Sequence, residues 1–322
     1  MRILSRNNNM KNLLKKYQNG EIEKHQFVDE MYKIHEVLEQ YQELLDERDI
    51  SSIQIRKTQI IFTFDDGEEI KLVHNRNDKY GIPLQYLNFN GYEKDVFSVM
   101  TDLVHNGDTV FDIGANIGWY GLKLNKHFKN VNVYSFEPLP TNYSKLLENF
   151  KLNGLSTDKA FDLGFFNENT HLEFFHDLEN SKASSLTNLR GTHAVEKVIC
   201  HVVRLDDFVK NQKIGRLDFI KCDVEGAELF VFQGAIDTLQ RFRPIVLTEM
   251  LRKWAAKFDY HPNDIISLFH SIGYQCFELL GGHLQKILEV TDQTISTNFV
   301  FLGEEHLRNQ PNSFLSEVEV IH

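Results

Sequence analysis

Cysteine is scarce in this chain. Only three occur among 322 residues, Cys200, Cys222 and Cys276, each in an apolar, strand-like run. They are too few and too scattered for a disulfide framework or a cysteine zinc cluster, and read as small buried hydrophobes. Basic clusters are absent as well. The 35 Lys and Arg are outnumbered by 46 Asp and Glu, for a net charge of −11. Phosphate neutralisation needs clustered cations, so no nucleic-acid partner is expected. No apolar run approaches the ~20 residues of a membrane span. The amino terminus, "MRILSRNNNMKNLLKK", lacks the apolar core and small-residue cleavage site of a secretory signal. A cytoplasmic location is therefore expected. The six prolines form no linker, and none of the fourteen histidines makes a ligand pattern such as His-Glu-x-x-His.

What remains is an ordinary globular composition, 42 % hydrophobic and 25 % charged. Apolar residues recur at three- and four-residue steps from Glu21 to Glu47, which predicts a long amphipathic helix. Gly20 separates it from a shorter helical piece, Lys11 to Gln18. The long helix either packs on its own domain or serves as an arm for a homodimer. In "QIIFTFDDGEEIKLV" hydrophobic and polar residues alternate on both sides of Asp66-Gly67, the signature of a β-hairpin.

From about Gly91 strands alternate with helices: "TVFDIGA", "VNVYSFE", "AFDLGFF", "LDFIKCDV" and "PIVLTEM" are short apolar runs with helical stretches between most of them. Such alternation predicts crossovers and a mostly parallel sheet covered on both faces. The last runs, "YQCFELL" and "NFVFLG", are joined through Gly281-Gly282 without an obvious helix, so an antiparallel pair is expected there.

Ligands of an open parallel sheet lie beyond the carboxyl ends of its strands. At the end of the first such strand stands "VFDIGANIGWYGL", with Asp112, Gly114, Asn116 and Gly118. A dinucleotide site favours Gly-x-Gly-x-x-Gly, whose helix N-terminus receives a pyrophosphate. Here Asn116 takes the place of the second glycine, and a carboxylate that would repel pyrophosphate stands at the strand tip. Asp112 would instead attract an ammonium or sulfonium, and S-adenosylmethionine carries both. Tight packing at a strand-to-helix corner is the plainer explanation of the glycines. Glu137 closes the next strand, in "VYSFEPLP", where a carboxylate can accept hydrogen bonds from both ribose hydroxyls. Asp162 and Leu163, in "AFDLGFF", reach the same edge and could meet an adenine, or Asp162 could merely cap the turn.

A second motif lies in "LDFIKCDVEGAELFVFQGA". Asp223 ends a buried strand, and Glu225, Gly226 and Glu228 follow on the opening turn of a helix. Acids in a first helical turn are favourable against the helix dipole by roughly 0.3–1 kcal/mol each. That accounts for Glu228 better than for Asp223. Two acids at a central strand tip fit a hydroxyl substrate, a metal ion, or both.

"FDIGANIG", "FEPLP" and "FIKCDVEGAE", in this order and spacing, resemble the FkbM-type methyltransferase family, as do "RLDDF" and "STNFVF". The resemblance covers about Gly91 to Gly303, and "DVEGAE" is its most distinctive part. It implies an α/β class I methyltransferase (Rossmann-like) fold, with seven strands, mostly parallel, the last antiparallel. It also implies an S-adenosylmethionine-dependent O-methyltransferase of sugars, glycans or natural products. Asp112, Gly114, Asn116 and Gly118 would then lie at the methionine end of the cofactor and Glu137 at the ribose. The expected organisation is a helical extension over 1–50, a hairpin segment over 51–90, the methyltransferase domain over 91–304 and a tail over 305–322.

The sulfonium brings its own leaving group, so alignment is the main task, and a sugar hydroxyl needs a base or a metal as it attacks. Asp223, Glu225 and Glu249 are the candidate catalytic residues, with Asp223 first. Asp223 with Glu225 or Glu249 could instead hold a divalent cation. A histidine is the remaining candidate base, among them His74, His176, His193 and His201. The polar segment Glu179 to Ala194 reads as a lid or a surface loop, offering Ser184, Ser185 and Arg190 to an acceptor. Tyr92 and Glu93, just before the first core strand, could approach the cofactor. An NAD-dependent oxidoreductase and a noncatalytic scaffold assembling through the Glu21–Glu47 helix are the alternatives.

Overall fold

A computed structural model describes residues 10–65, 67–74, 76, 78–177, 185–186 and 195–308, with 315–316 by backbone alone. The chain opens with helices α1 (Met10–Gln18), α2 (Lys24–His35) and α3 (Val37–Asp46). Just past α1, Gly20 has a positive φ of 71°, which lets the Glu21 amide reach back to the Lys16 carbonyl. The single long helix expected from Glu21 starts instead at Lys24, because the Gln26 side chain accepts from the Glu23 amide and fixes the first turn there. It is also interrupted at Glu36, whose backbone stays in the right-handed helical region (φ −51°, ψ −25°). Leu44 and Leu45 pack against the protein's own core, whereas Leu14, Val28, Tyr32, Leu38 and Tyr41 are exposed.

Three strands follow, β1 (Ile50–Ile55), β2 (Ile60–Asp65) and β3 (Glu69–Val73), paired antiparallel in that order. The expected hairpin is β2–β3, and Gly67 at its turn has φ 110°; Asp66 lies outside the described residues. β1 is an addition to it. This small sheet is fastened to the main domain through side-chain amides. Asn149 accepts from the Val73 amide, and Asn153 bonds both the amide and the carbonyl of Lys71. Helices α4 (Ile82–Phe89) and α5 (Lys94–Leu103) then lead into the domain.

From there the chain runs β4 (Thr109–Ile113), α6 (Trp119–His127), β5 (Asn132–Phe136), α7 (Pro140–Leu152), β6 (Ala160–Phe161), β7 (Gly164–Phe165), β8 (Thr170–Asp177), β9 (Val195–Val203), α8 (Leu205–Asn211), β10 (Phe219–Cys222), α9 (Glu228–Gln233), α10 (Ile236–Phe242), β11 (Ile245–Glu249), α11 (Arg252–Ala255), α12 (Pro262–Ser271), β12 (Tyr274–Leu280), β13 (His283–Ile287) and β14 (Asn298–Gly303). The main sheet has the order β6-β5-β4-β10-β11-β14-β12, continued by β13 and by β15 (Leu315–Ser316). β6, β5, β4, β10 and β11 are mutually parallel, and β14 is antiparallel to both β11 and β12. This is the class I methyltransferase arrangement.

Two expectations need correction. Gly281 and Gly282 both have positive φ (54° and 81°), as a tight two-residue turn requires, and they join β12 to β13 rather than to β14. "NFVFLG" instead inserts as β14 between β11 and β12. "AFDLGFF" is not one strand: β6 stays in the main sheet, while β7 joins a second sheet, β7-β9-β8.

The period-two alternation of the core strands sorts their side chains into two layers. Val110 and Phe219 face one with α5, α6, α7 and the small sheet; Phe111, Ile113, Ile220 and Cys222 face the other with α8, α9 and α12. Among the described residues no helix is long and apolar enough to cross a membrane.

Candidate functional site

The carboxyl ends of β4, β5, β10 and β11 surround a cavity of about 280 Å³. At its first corner the glycines answer to packing. Gly114 has φ 79°, and a Cβ there would lie 1.8 Å from the Asp223 carbonyl oxygen. Gly118 has φ 89°, and its Cβ would meet the Phe150 ring at 2.7 Å. The groups left for a ligand come from Asn116 and Glu137. The Asn116 amide donates to Glu137 Oε2 at 2.8 Å, and the Leu139 amide donates to Oε1 at 3.0 Å. The Asn116 Oδ1 is buried without a partner among the described residues. Burial pushes the Glu137 carboxyl up to about 7, against the opposing pull of those amides and of Asn142.

Of the residues expected to bind a cofactor, Gly114, Asn116 and Glu137 line the cavity. Asp112, Gly118, Asp162 and Leu163 do not. Asp112 shares its strand face with Val110, so it lies under the floor against α6, with no exposed surface. Gly118 is covered by α7. Asp162 stands exposed beyond the tip of β6, and Leu163 packs into the opposite layer. In that stretch it is Gly164, Phe165 and Phe166 that face the cavity.

All three candidate catalytic acids line the cavity. Asp223 follows β10, Glu249 ends β11, and Glu225 is swung in by a strained turn, with φ 55° at Glu225 and 102° at Gly226. One carboxylate oxygen from each lies within 4.8 Å of the other two, close enough to share a divalent cation. Burial raises the Glu249 carboxyl well above its ordinary range, and the charge of Asp223 adds to this. Glu228 serves the backbone instead, accepting from the amides of Val224 (2.9 Å) and Gly226 (3.2 Å). Its carboxyl is pushed up to about 7, chiefly by burial.

Tyr92 and Glu93 also line the cavity, and the Tyr120 hydroxyl donates to Glu93. Ser185 is buried, and its hydroxyl donates to the Glu225 carbonyl at 2.8 Å, while Leu186 reaches the cavity wall. Ser184, Arg190 and His193 lie outside the described residues. His74, His176 and His201 do not line the cavity. His176 is buried next to Thr141, and His201 stacks on His171.

Sequence reasoning missed Lys221 and the aromatic wall of Trp119, Tyr120 and Trp254. Lys221 was visible in "FIKCDVEGAE" as a charge inside an otherwise apolar strand. Burial works against its ammonium, but Asp223, Asp112 and Glu93 together outweigh that and hold it above its ordinary value.

Residues 112–276 match the methyltransferase FkbM domain. The chain belongs to the FkbM methyltransferase family. Hexuronic acid methyltransferase AglP of Haloferax volcanii is 25 % identical over 163 residues, covering 48 % of this chain and 61 % of that protein. The 31-O-demethyl-FK506 methyltransferase FkbM of Streptomyces tacrolimicus is 28 % identical over 167 residues, covering 44 % of this chain and 64 % of that one. Methyltransferase 1 of Beauveria bassiana is 26 % identical over 145 residues, with coverages of 40 % and 58 %. The chain thus spans less than two thirds of the length of these curated relatives. Among solved structures, the FkbM methyltransferase from Methylobacillus flagellatus superimposes with a TM-score of 0.39 and 17 % identity, over 62 % of this chain and 44 % of that one.

Proposed function

We propose that the protein transfers a methyl group from S-adenosylmethionine to a hydroxyl of a sugar, glycan or natural-product acceptor. The observation that carries this reading is that Glu137 and the Asp223–Glu225–Glu249 group open into one cavity along the carboxyl edge of the same sheet. Besides the two backbone amides and Asn142, the Glu137 oxygens keep lone-pair capacity for a ribose hydroxyl. The unpartnered Asn116 Oδ1 is a further acceptor on the same side, and Phe165 and Leu139 offer an apolar edge for an adenine. These residues fit the donor.

S-adenosylmethionine, when bound, supplies a methyl group already activated on a sulfonium. The protein's part is to align the acceptor, worth on the order of 7–11 kcal/mol when the fit is good. Asp223 takes the hydroxyl proton, Trp119 and Trp254 wall off water, and Glu225 and Glu249 accept from other acceptor hydroxyls. A divalent cation held by Asp223, Glu225 and Glu249 is a second reading, favoured by their convergence within 4.8 Å. The names of two relatives, one for hexuronic acid and one for 31-O-demethyl-FK506, support an acceptor of this kind.

The test is a labelled-methyl transfer screen over nucleotide sugars and glycans, with magnesium or with EDTA, alongside calorimetry with NAD. Label on an acceptor hydroxyl and no heat from NAD are expected. Heat from NAD without transfer would favour an oxidoreductase instead.

A further inference from the structure

Lys221 is held in place by the fold itself. β10 is buried along its whole length, and its parallel register sets Lys221 beside Asp112 of β4. The side chain is 6 % exposed, its Nζ lies 3.1 Å from Asp223 Oδ2, and it stands 4.7 Å from the centre of the Tyr120 ring. Among the described residues lining the cavity it is the single cation. Opposite it, three carboxylates crowd within 4.8 Å, and like charges at that spacing drive flexible side chains apart. A hydrogen bond from a cation that cannot move gives one of them a fixed direction. Asp112 completes the arrangement from below: it has no exposed surface and lies beside Lys221 across the β4–β10 register.

We infer that Lys221, backed by Asp112, is a positioning residue that aims the Asp223 carboxylate at the acceptor hydroxyl. The inference rests on the methyltransferase reading. It assigns Asp112 to the lysine instead of to the cofactor, and it separates Lys221 from donor binding, which belongs to the tips of β4 and β5. Replacing lysine and aspartate together removes both buried charges, and Asp223, which loses its lysine, keeps contact with solvent, its side chain being 24 % exposed.

The test therefore uses the double variant Lys221→Met with Asp112→Asn, beside the wild type. S-adenosylhomocysteine affinity is measured by calorimetry, the Asp223 rotamer in crystals grown with S-adenosylhomocysteine, and kcat with the acceptor from the transfer screen. Expected are a cooperative melt, unchanged S-adenosylhomocysteine affinity, an Asp223 carboxylate that leaves its wild-type rotamer, and a kcat lower by about 10²-fold, the scale of a misplacement of about 1 Å. An unchanged rotamer or a wild-type kcat in the folded double variant overturns the inference. So does a loss of S-adenosylhomocysteine affinity, which would put Lys221 at the donor. Failure of the wild type to bind S-adenosylhomocysteine defeats the methyltransferase reading itself, and is read without any variant.

Discussion

The two sides of the cavity hold their acids in opposite ways. At β4 and β5, Glu137 is fixed by backbone amides from Asn116 and Leu139, groups that a substitution elsewhere barely disturbs. At β10 and β11, three acids crowd together and one buried lysine side chain bonds to Asp223. An acid held by amides is a fixed acceptor, as the proposed donor site would need. An acid held by one side chain beside like charges keeps its direction only while that side chain is there, which makes this half of the cavity the more sensitive to a single substitution.

That contrast can be broken most severely at Asp223. Asp223→Asn should lower kcat by ~10²–10⁴-fold while S-adenosylhomocysteine still binds, as calorimetry and steady-state rates will show. Near-normal turnover would remove it as the base. Next in size is the contact that joins the two halves. Gly114→Ala places a Cβ against the Asp223 carbonyl at positive φ. It should cost about 2–5 kcal/mol in a denaturant melt, from left-handed strain and overpacking combined.

Glu249→Gln sharpens the comparison in the other direction. The Glu249 carboxyl is raised well above its ordinary range by burial and then by Asp223, so its charge destabilises the ligand-free fold. The variant should melt higher than the wild type at neutral pH and turn over more slowly; a lower Tm would contradict this. The smallest effect is on pH. Asp112 and Glu137 are raised to about 6 and about 7, by burial first in both cases. Carboxyls raised in the folded state bind more protons folded than unfolded, so their contribution to stability falls as pH climbs from the ordinary value of about 4 towards 7. The rise in Tm on adding the donor should therefore be larger at about pH 8, where Glu137 is ionised and accepts from the ribose, than at about pH 5.5, and an equal rise at both would count against that contact.

Much of this was legible in the chain because strand cores and strand tips obey local rules. "TVFDIGA" and "PIVLTEM" are apolar enough to be read as buried strands, and Glu137 and Glu249 fall where such strands must stop. What escaped depends on partners far away in sequence. Asp112 was read as a ligand because it ends a strand; only the face it shares with Val110 shows that it turns towards α6 and not towards the cavity. Lys221 gives no local sign that two acids, one from another strand, surround it. β13, "HLQKI", is too short and polar to be seen as a strand until β12 lies beside it. Asp162 and Leu163 were placed by assuming one strand where the chain passes between two sheets.

The most direct measurement is a calorimetric titration of S-adenosylmethionine into the wild type and into Glu137→Ala. The wild type should bind one donor per chain. The variant, missing a charged acceptor of two ribose hydrogen bonds worth about 1.5–3 kcal/mol each, should bind at least about tenfold more weakly. Equal affinity in the two proteins, or no heat from the wild type, would contradict a nucleoside held at the tip of β5.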